Sequence, residues 1–351
     1  GNGVRVSRAE ETLLKFADSF GIPVSTTAGG KGTFPEGHDL AVGVIGAFGH
    51  AAANEVVGAS DLIIAVGTKL GSTDTAGQHP RLVDLSRQRI IHIDVEPLNT
   101  SWTLPAAESL IGDAARTLDS LMGHLSGFDG GGSTRAKSAR KAAPLFTEEF
   151  TSTPGTLDGR DAVRVLSQEV PDQVVVTCDA GENRLFVLRD FQARYGGTVL
   201  QPSGGGGMGY AIPAAMSVAL NLPERTAVAV CGDGGFSLSL HSLLSAVELK
   251  LRLIVLVLDN GILGWVYNGQ KGRYIASDLA DFNYAEIARA MGAQSTIVET
   301  VDDVRRELRR ALSHDGVSVI VAKTTNFDRY QHIMSDLNPG DVYSVPEILG
   351  G

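Results

Sequence analysis

Cysteine is nearly absent from this sequence: the 351 residues include two, Cys178 and Cys231, each inside an apolar run. Two cysteines in strand-like runs exclude a disulfide framework and fit core positions in a reducing, cytoplasmic compartment. Long apolar runs are missing too. No stretch approaches the ~20 residues that a membrane-spanning helix needs, and no signal peptide is visible. There is no excess of basic charge; the net charge is −10. That disfavours nucleic acid and anionic membranes as partners, so a phosphorylated ligand needs backbone donors or a metal. No repeat of short fixed period occurs. An initiator methionine is lacking, and Gly1-Asn2-Gly3 reads as a turn of the kind that follows a strand in an α/β unit. The sequence therefore predicts a fragment whose first strand lies upstream.

What is present reads as α/β. Hydrophobic residues make up 43% and charged residues 20%, the balance of a globular chain long enough for two domains. Residues 9–20 read as a helix, 22–26 as a short strand, 51–57 as a helix, 61–67 and 89–94 as buried strands, and 113–121 as a helix. This predicts a doubly wound parallel-sheet domain over residues 1–125. Residues 126–145 read as a linker, because three glycines and the basic run from Arg135 to Lys141 cannot support a core. A second α/β domain with a C-terminal tail is expected over 146–351. Its helices are predicted at 158–169 and 301–312, and its strands at 172–178, 226–231, 252–258 and 317–322.

In open α/β sheets, ligands sit beyond the carboxyl ends of the strands. The residues that follow each strand of the second domain are therefore read together. They are Asp179-Ala180-Gly181-Glu182-Asn183; Ser203 through Gly206 and Gly207 to Met208-Gly209-Tyr210; Gly232-Asp233-Gly234-Gly235; and Asp259-Asn260-Gly261. Glycines let backbone N–H groups approach phosphate oxygens, and helix N-termini favour negative charge. Magnesium takes hard oxygen ligands. Asp233 offers a carboxylate, Asn260 an amide oxygen, and a backbone carbonyl near Ile262 completes the protein's share. Taken singly, each element has a structural reading: Met208 as core, Asp233 as a helix cap, Asn260-Gly261 as a turn. Together they point to a magnesium diphosphate.

Gly232-Asp233-Gly234 followed at a distance by Asp259-Asn260 resembles the signature of thiamine-diphosphate enzymes. The stretch from Gly232 to Leu263-Gly264-Trp265-Val266 is similar to acetolactate synthase and pyruvate oxidase. Met208-Gly209-Tyr210-Ala211-Ile212-Pro213 looks like the corresponding acetolactate synthase segment. Gly21-Ile22-Pro23-Val24, residues 60–67 and His92-Ile93-Asp94-Val95 resemble that family's central, Rossmann-like domain. The resemblance implies that Asp233, Asn260 and the Ile262 carbonyl bind Mg2+. It implies that Gly234 and Gly235 hold the diphosphate and that Met208 wedges the cofactor into a V, with the Gly206 carbonyl on its aminopyrimidine. Asp179, Gly181, Glu182, Asn183, Gly207, Gly232, Leu263 and Gly264 are expected around the cofactor. Trp265, Tyr267 and Gln270 are read equally as substrate pocket and as interface or core.

The family's pyrimidine-binding domain, with its catalytic Glu, has no counterpart in this sequence. The resemblance therefore implies a partner polypeptide or an upstream segment that carries it, a dimer- or tetramer-type assembly, and no turnover by this chain alone. Four places depart from the family pattern. Asp259 stands where the first Asn is usual. Glu182-Asn183 replaces a Gln-His pair, and a carboxylate there repels phosphate unless it is turned away or protonated. Gly269 replaces a Trp that shapes acceptor choice. Residues 69–74, starting at Lys69, replace a flavin-contacting segment, which leaves open whether the central domain binds FAD, another adenine nucleotide or nothing. The expected activity is decarboxylation and carboligation of a 2-oxo acid. A decarboxylase, a pyruvate-oxidase-like enzyme and a non-catalytic subunit are the alternatives. A dehydrogenase reading lacks the full Gly-x-Gly-x-x-Gly pattern. His50, His92, His241 and His332 are read as structural.

Overall fold

The computed structural model describes residues 1–125, 127–128, 130–194, 198–202, 204–270, 272–325 and 337. Ser203, His332 and the C-terminal tail apart from Leu337 lie outside these residues. The chain divides into two compact units, residues 1–145 with 331–351, and residues 146–330.

The first unit runs α1 (Asn2–Val6), α2 (Glu10–Phe20), β1 (Val24–Thr26), β2 (Ala41–Val44), α3 (Ala51–Gly58), β3 (Leu62–Val66), β4 (Arg89–Asp94), β5 (Glu108–Ile111), α4 (Ala114–His124) and α5 (Gly132–Ala142). All its strand pairs are parallel: β1 with β2, and β3-β4-β5. α2 ends where Gly21 takes a left-handed conformation at φ 58°, which a glycine adopts without a Cβ penalty. Leu13, Phe16, Phe20 and Leu118 join one core cluster with Val66 and Ile93.

Two expectations fail in this unit. Gly1-Asn2-Gly3 is not a turn; helix α1 begins at Asn2 and buries Val4. The expected linker also carries a helix. In α5, Ala136 and Ala139 lie three apart on one face and are buried, with α5 packed on α3 and β2. Arg135 and Lys137 point away, so the basic run marks the solvent face of a helix.

The second unit runs α6 (Gly159–Glu169), β6 (Val175–Cys178), α7 (Glu182–Asp190), β7 (Thr198–Leu200), α8 (Ala211–Asn221), β8 (Ala227–Gly232), α9 (Asp233–Ser239), α10 (Ser242–Glu248), β9 (Leu253–Asp259), α11 (Gly264–Gly269), α12 (Tyr284–Ala290), β10 (Gln294–Val298), α13 (Val301–Leu312) and β11 (Val317–Lys323). Its strands form one parallel sheet in the order β10-β11-β9-β8-β6-β7. β9 is buried at all seven positions, as expected of a strand covered on both faces. Ala227, Ala229, Cys231, Leu253, Val255 and Val257 pack on α8, α9, α10 and α12. The alternate residues Val228, Val230, Ile254 and Leu256 are buried on the opposite face, where α6, α7 and α13 lie. α13 shows why its boundaries were legible: Thr300 caps it by accepting from the Asp303 N–H. Asp302 and Asp303 sit in the first turn and Arg309 and Arg310 in the last.

The order places the site. From β6 the chain moves outward to β7, then returns to the other side of β6 as β8. The connections thus leave β6 and β8 in opposite directions, and a crevice opens at their carboxyl ends.

Candidate active-site cleft

A cleft sits at that switch point. Gly181, Glu182 and Asn183 follow β6; Gly232, Asp233, Gly234 and Gly235 follow β8; Asn260, Ile262, Leu263, Gly264 and Trp265 follow β9. Met208 precedes α8, and all of these line the cleft. The sequence missed Thr324 and Thr325, which also line it. They follow β11, so the strand-end rule that selected the other loops would have found them.

Asp233 is buried at the start of α9. Its Oδ1 accepts from the Gly234 N–H at 2.8 Å and its Oδ2 from the Gly261 N–H at 2.7 Å. Asn260 Oδ1 accepts from the Ile262 N–H at 3.2 Å. The carboxylate, the amide oxygen and the turn at 260–262 are thus gathered into one place. Burial, with the Asp259 carboxylate adding to it, pushes the Asp233 carboxyl up to about 6. Among the described residues no group of three or more His, Cys, Asp and Glu side chains could hold a metal. A cation here would have to draw instead on Asp233, on the Asn260 amide, on backbone carbonyl oxygen and on its ligand's own oxygens. That hard-oxygen donor set fits magnesium.

The glycines keep the cleft open. A Cβ on Gly234 would stand 2.6 Å from Leu263 Cδ2, and one on Gly264 would stand 2.1 Å from Glu182 Oε2. The first-turn amides of α9 have no backbone acceptor within the helix, and that of Gly234 donates to the Asp233 carboxylate.

Glu182 is buried at the start of α7, and its Oε1 accepts from Asn268 Nδ2 at 2.6 Å. Burial pushes its carboxyl up to about 7, against the lowering effect of the Asn268 and Asn260 amides. Asp259, at the unusual position, is an ion-pair partner of Lys323 at 2.8 Å. The two residues face each other in the β9–β11 register. No local sequence signal joins them, because the pairing depends on strand order.

Several expected residues are placed elsewhere. Asp179 does not line the cleft. It is fully buried, and its Oδ1 accepts from the Tyr210 and Ala211 N–H groups at 2.6 and 2.7 Å, fastening the start of α8 to the end of β6. Gly206, at φ 63°, and Gly207 lie outside the lining. Of the three pocket candidates only Trp265 lines the cleft. The Tyr267 ring stacks on Tyr274 at 3.8 Å. The Gln270 amide donates to the Ile275 carbonyl and accepts from the Ile275 N–H, which closes a turn. His241 is exposed between α9 and α10 and is not packed in a helix. His50 and His92 are buried; His50 Nδ1 accepts from the Val44 N–H, and His92 Nε2 lies 2.6 Å from the Thr68 carbonyl.

The comparisons with known proteins agree with the fold. Residues 179–322 match the thiamine pyrophosphate enzyme C-terminal TPP binding domain, and residues 1–121 match the thiamine pyrophosphate enzyme central domain. The chain therefore belongs to the thiamine pyrophosphate enzyme family, and it carries these two of the family's domains. It is 26% identical to the acetolactate synthase large subunit of Haemophilus influenzae over 344 residues, covering 95% of this chain and 59% of that protein. It is 28% identical to the acetolactate synthase of Arthrospira platensis over 345 residues, covering 93% and 58%. An X-ray structure of a candidate thiamin diphosphate-dependent enzyme from Mycobacterium smegmatis superposes with a TM-score of 0.75 at 26% identity, covering 93% of this chain and 60% of that one. The chain thus spans about 60% of the length of these relatives. No helix among the described residues is long and apolar enough to cross a membrane.

Proposed function

We propose that this chain forms the diphosphate-and-magnesium half of a thiamine-diphosphate site in an enzyme of the acetolactate synthase type, which acts on 2-oxo acids. One observation carries the reading. Asp233, Asn260 and the turn at 260–262 meet at the switch point between β6 and β8. On this reading Asp233, the Asn260 amide oxygen and the Ile262 carbonyl hold Mg2+. Backbone N–H groups at Gly234 and Gly235 receive the diphosphate. Gly181, Glu182, Asn183, Leu263 and Gly264 form the surrounding wall. Met208 is 42% exposed and lines the cleft, so it is free to serve as the wedge beneath the cofactor. Both Glu182 oxygens face the Asn268 and Asn260 amides, which offsets part of the carboxylate's repulsion of phosphate.

Bound thiamine diphosphate supplies the electron sink that lets a 2-oxo acid lose carbon dioxide. This chain would orient that group and hold the Mg2+ that offsets the charge of its diphosphate. The catalytic Glu and the pyrimidine-binding domain come from a partner polypeptide or from a further segment of the same protein, in a dimer- or tetramer-type assembly. The test is a carbon dioxide assay on that assembly with pyruvate, with and without an aldehyde acceptor. Release accompanied by a joined product supports carboligation. Release without one makes the enzyme a decarboxylase, and no release from any 2-oxo acid sinks the reading.

A further inference from the structure

Helix α11 forms one wall of the cleft through Gly264 and Trp265, with Val266 beside them, yet none of its residues is buried. Core packing therefore does not fix its position. A carboxylate does contact it. Glu182, from the start of α7, accepts from Asn268 Nδ2 at 2.6 Å across 86 residues of sequence. Its other oxygen faces Asn260 Nδ2 at 3.5 Å. The close approach is built in, because any side chain at Gly264 would collide with the Glu182 carboxylate. An ionised carboxylate offers acceptors alone, so it draws the NH2 end of each neighbouring amide toward itself. The oxygen of Asn260 is then left on the far side, where the Ile262 N–H donates to it.

We propose that Glu182 is a positioning residue that clasps α11 against the cleft and fixes the Asn260 amide with its oxygen turned to the metal side. The second half of this proposal rests on the functional reading given above; the first half does not. Partners that orient a metal ligand from behind are worth roughly 10–100-fold in metal affinity.

The test uses the full chain with Trp102→Phe, which leaves Trp265 as the single tryptophan. Acrylamide quenching of Trp265 without any ligand reads the docking of α11. Calorimetric titration of thiamine diphosphate at varied Mg2+ reads the Asn260 amide. Glu182→Ala is expected to raise quenching and to weaken apparent Mg2+ affinity ~10–100-fold. Asn268→Ala is expected to raise quenching alone. Glu182→Gln keeps its shape and an acceptor for Asn268, but presents an NH2 group to Asn260. It is expected to weaken Mg2+ affinity with quenching unchanged. A purely structural role would lower the melting temperature of all three variants and leave both readouts unmoved below the transition. Unchanged quenching in both Glu182→Ala and Asn268→Ala would overturn the clasp. Unchanged Mg2+ affinity in both Glu182 variants would overturn the orienting role. If the parent protein binds no magnesium–thiamine diphosphate, the functional reading fails, while the quenching comparison still decides the clasp.

Discussion

Replacing Gly235 by Ala opposes two effects whose magnitudes can be weighed. Gly235 is the third residue of α9, and in a helix interior alanine is favoured over glycine by about 1 kcal/mol. The structure opposes that gain. A Cβ at Gly235 would stand 2.2 Å from Asp179 Oδ2 and 3.2 Å from its Cγ, where ordinary contact begins at 3.4 Å. Asp179 has little room to retreat, since it is fully buried and held by two backbone N–H groups at 2.6 and 2.7 Å. Overpacking of this kind costs about 1–3 kcal/mol. Loosening a carboxylate that caps a helix start costs a further 0.5–2 kcal/mol or so. The net expectation is a loss of about 2 kcal/mol, or roughly 4–8 °C in the melting temperature of a unit of this size. Thermal unfolding followed by circular dichroism reads it directly. A melting temperature equal to or above that of the parent would mean that helix propensity prevails and that the α8–α9 junction is looser than described.

Acid should loosen the tie between α6 and α13. Glu169 accepts from Arg309 at 2.7 Å and Arg305 at 2.5 Å, and these partners, Arg309 first, hold its carboxyl below the ordinary value of 4.5. A depressed carboxylate contributes stability that is present above 4.5 and is lost as pH falls through the folded-state value. The urea midpoint of the parent should therefore fall from about pH 6 to about pH 3 more than that of Glu169→Gln; parallel curves would refute the tie. Thr300→Ala removes the side-chain acceptor for the Asp303 N–H and should cost about 1 kcal/mol in urea unfolding, with no measurable change counting against the cap. Leu256→Ala, in a strand buried on both faces, should cost about 2–5 kcal/mol in the same assay.

What was legible in the sequence follows from how local each signal is. β9 announced itself by an unbroken apolar run, and α13 by its cap and its charge asymmetry. The strand-end loops were recognisable because glycine, Asp and Asn recur where chain direction must change. Short strands such as β7, with three residues, and β5, with its exposed pattern, carry too little periodicity to be read. α5 was hidden because two buried alanines weigh little against four charges in composition, although their spacing sets the buried face. Asp179 shows a further limit. A carboxylate after a strand is visible in the sequence, but whether it aims at a ligand or at the N–H groups of the next helix depends on the three-dimensional path. The Asp259–Lys323 pair and the Glu182–Asn268 contact depend likewise on which strands and helices become neighbours.

Asp233 and its neighbours are proposed to bind a magnesium diphosphate. The most direct measurement is isothermal titration of thiamine diphosphate into the protein, with Mg2+ and with chelator, for the parent and for Asp233→Ala. Binding is expected to require Mg2+ and to be abolished in Asp233→Ala. Binding that is indifferent to Mg2+, or unchanged in the variant, would contradict it.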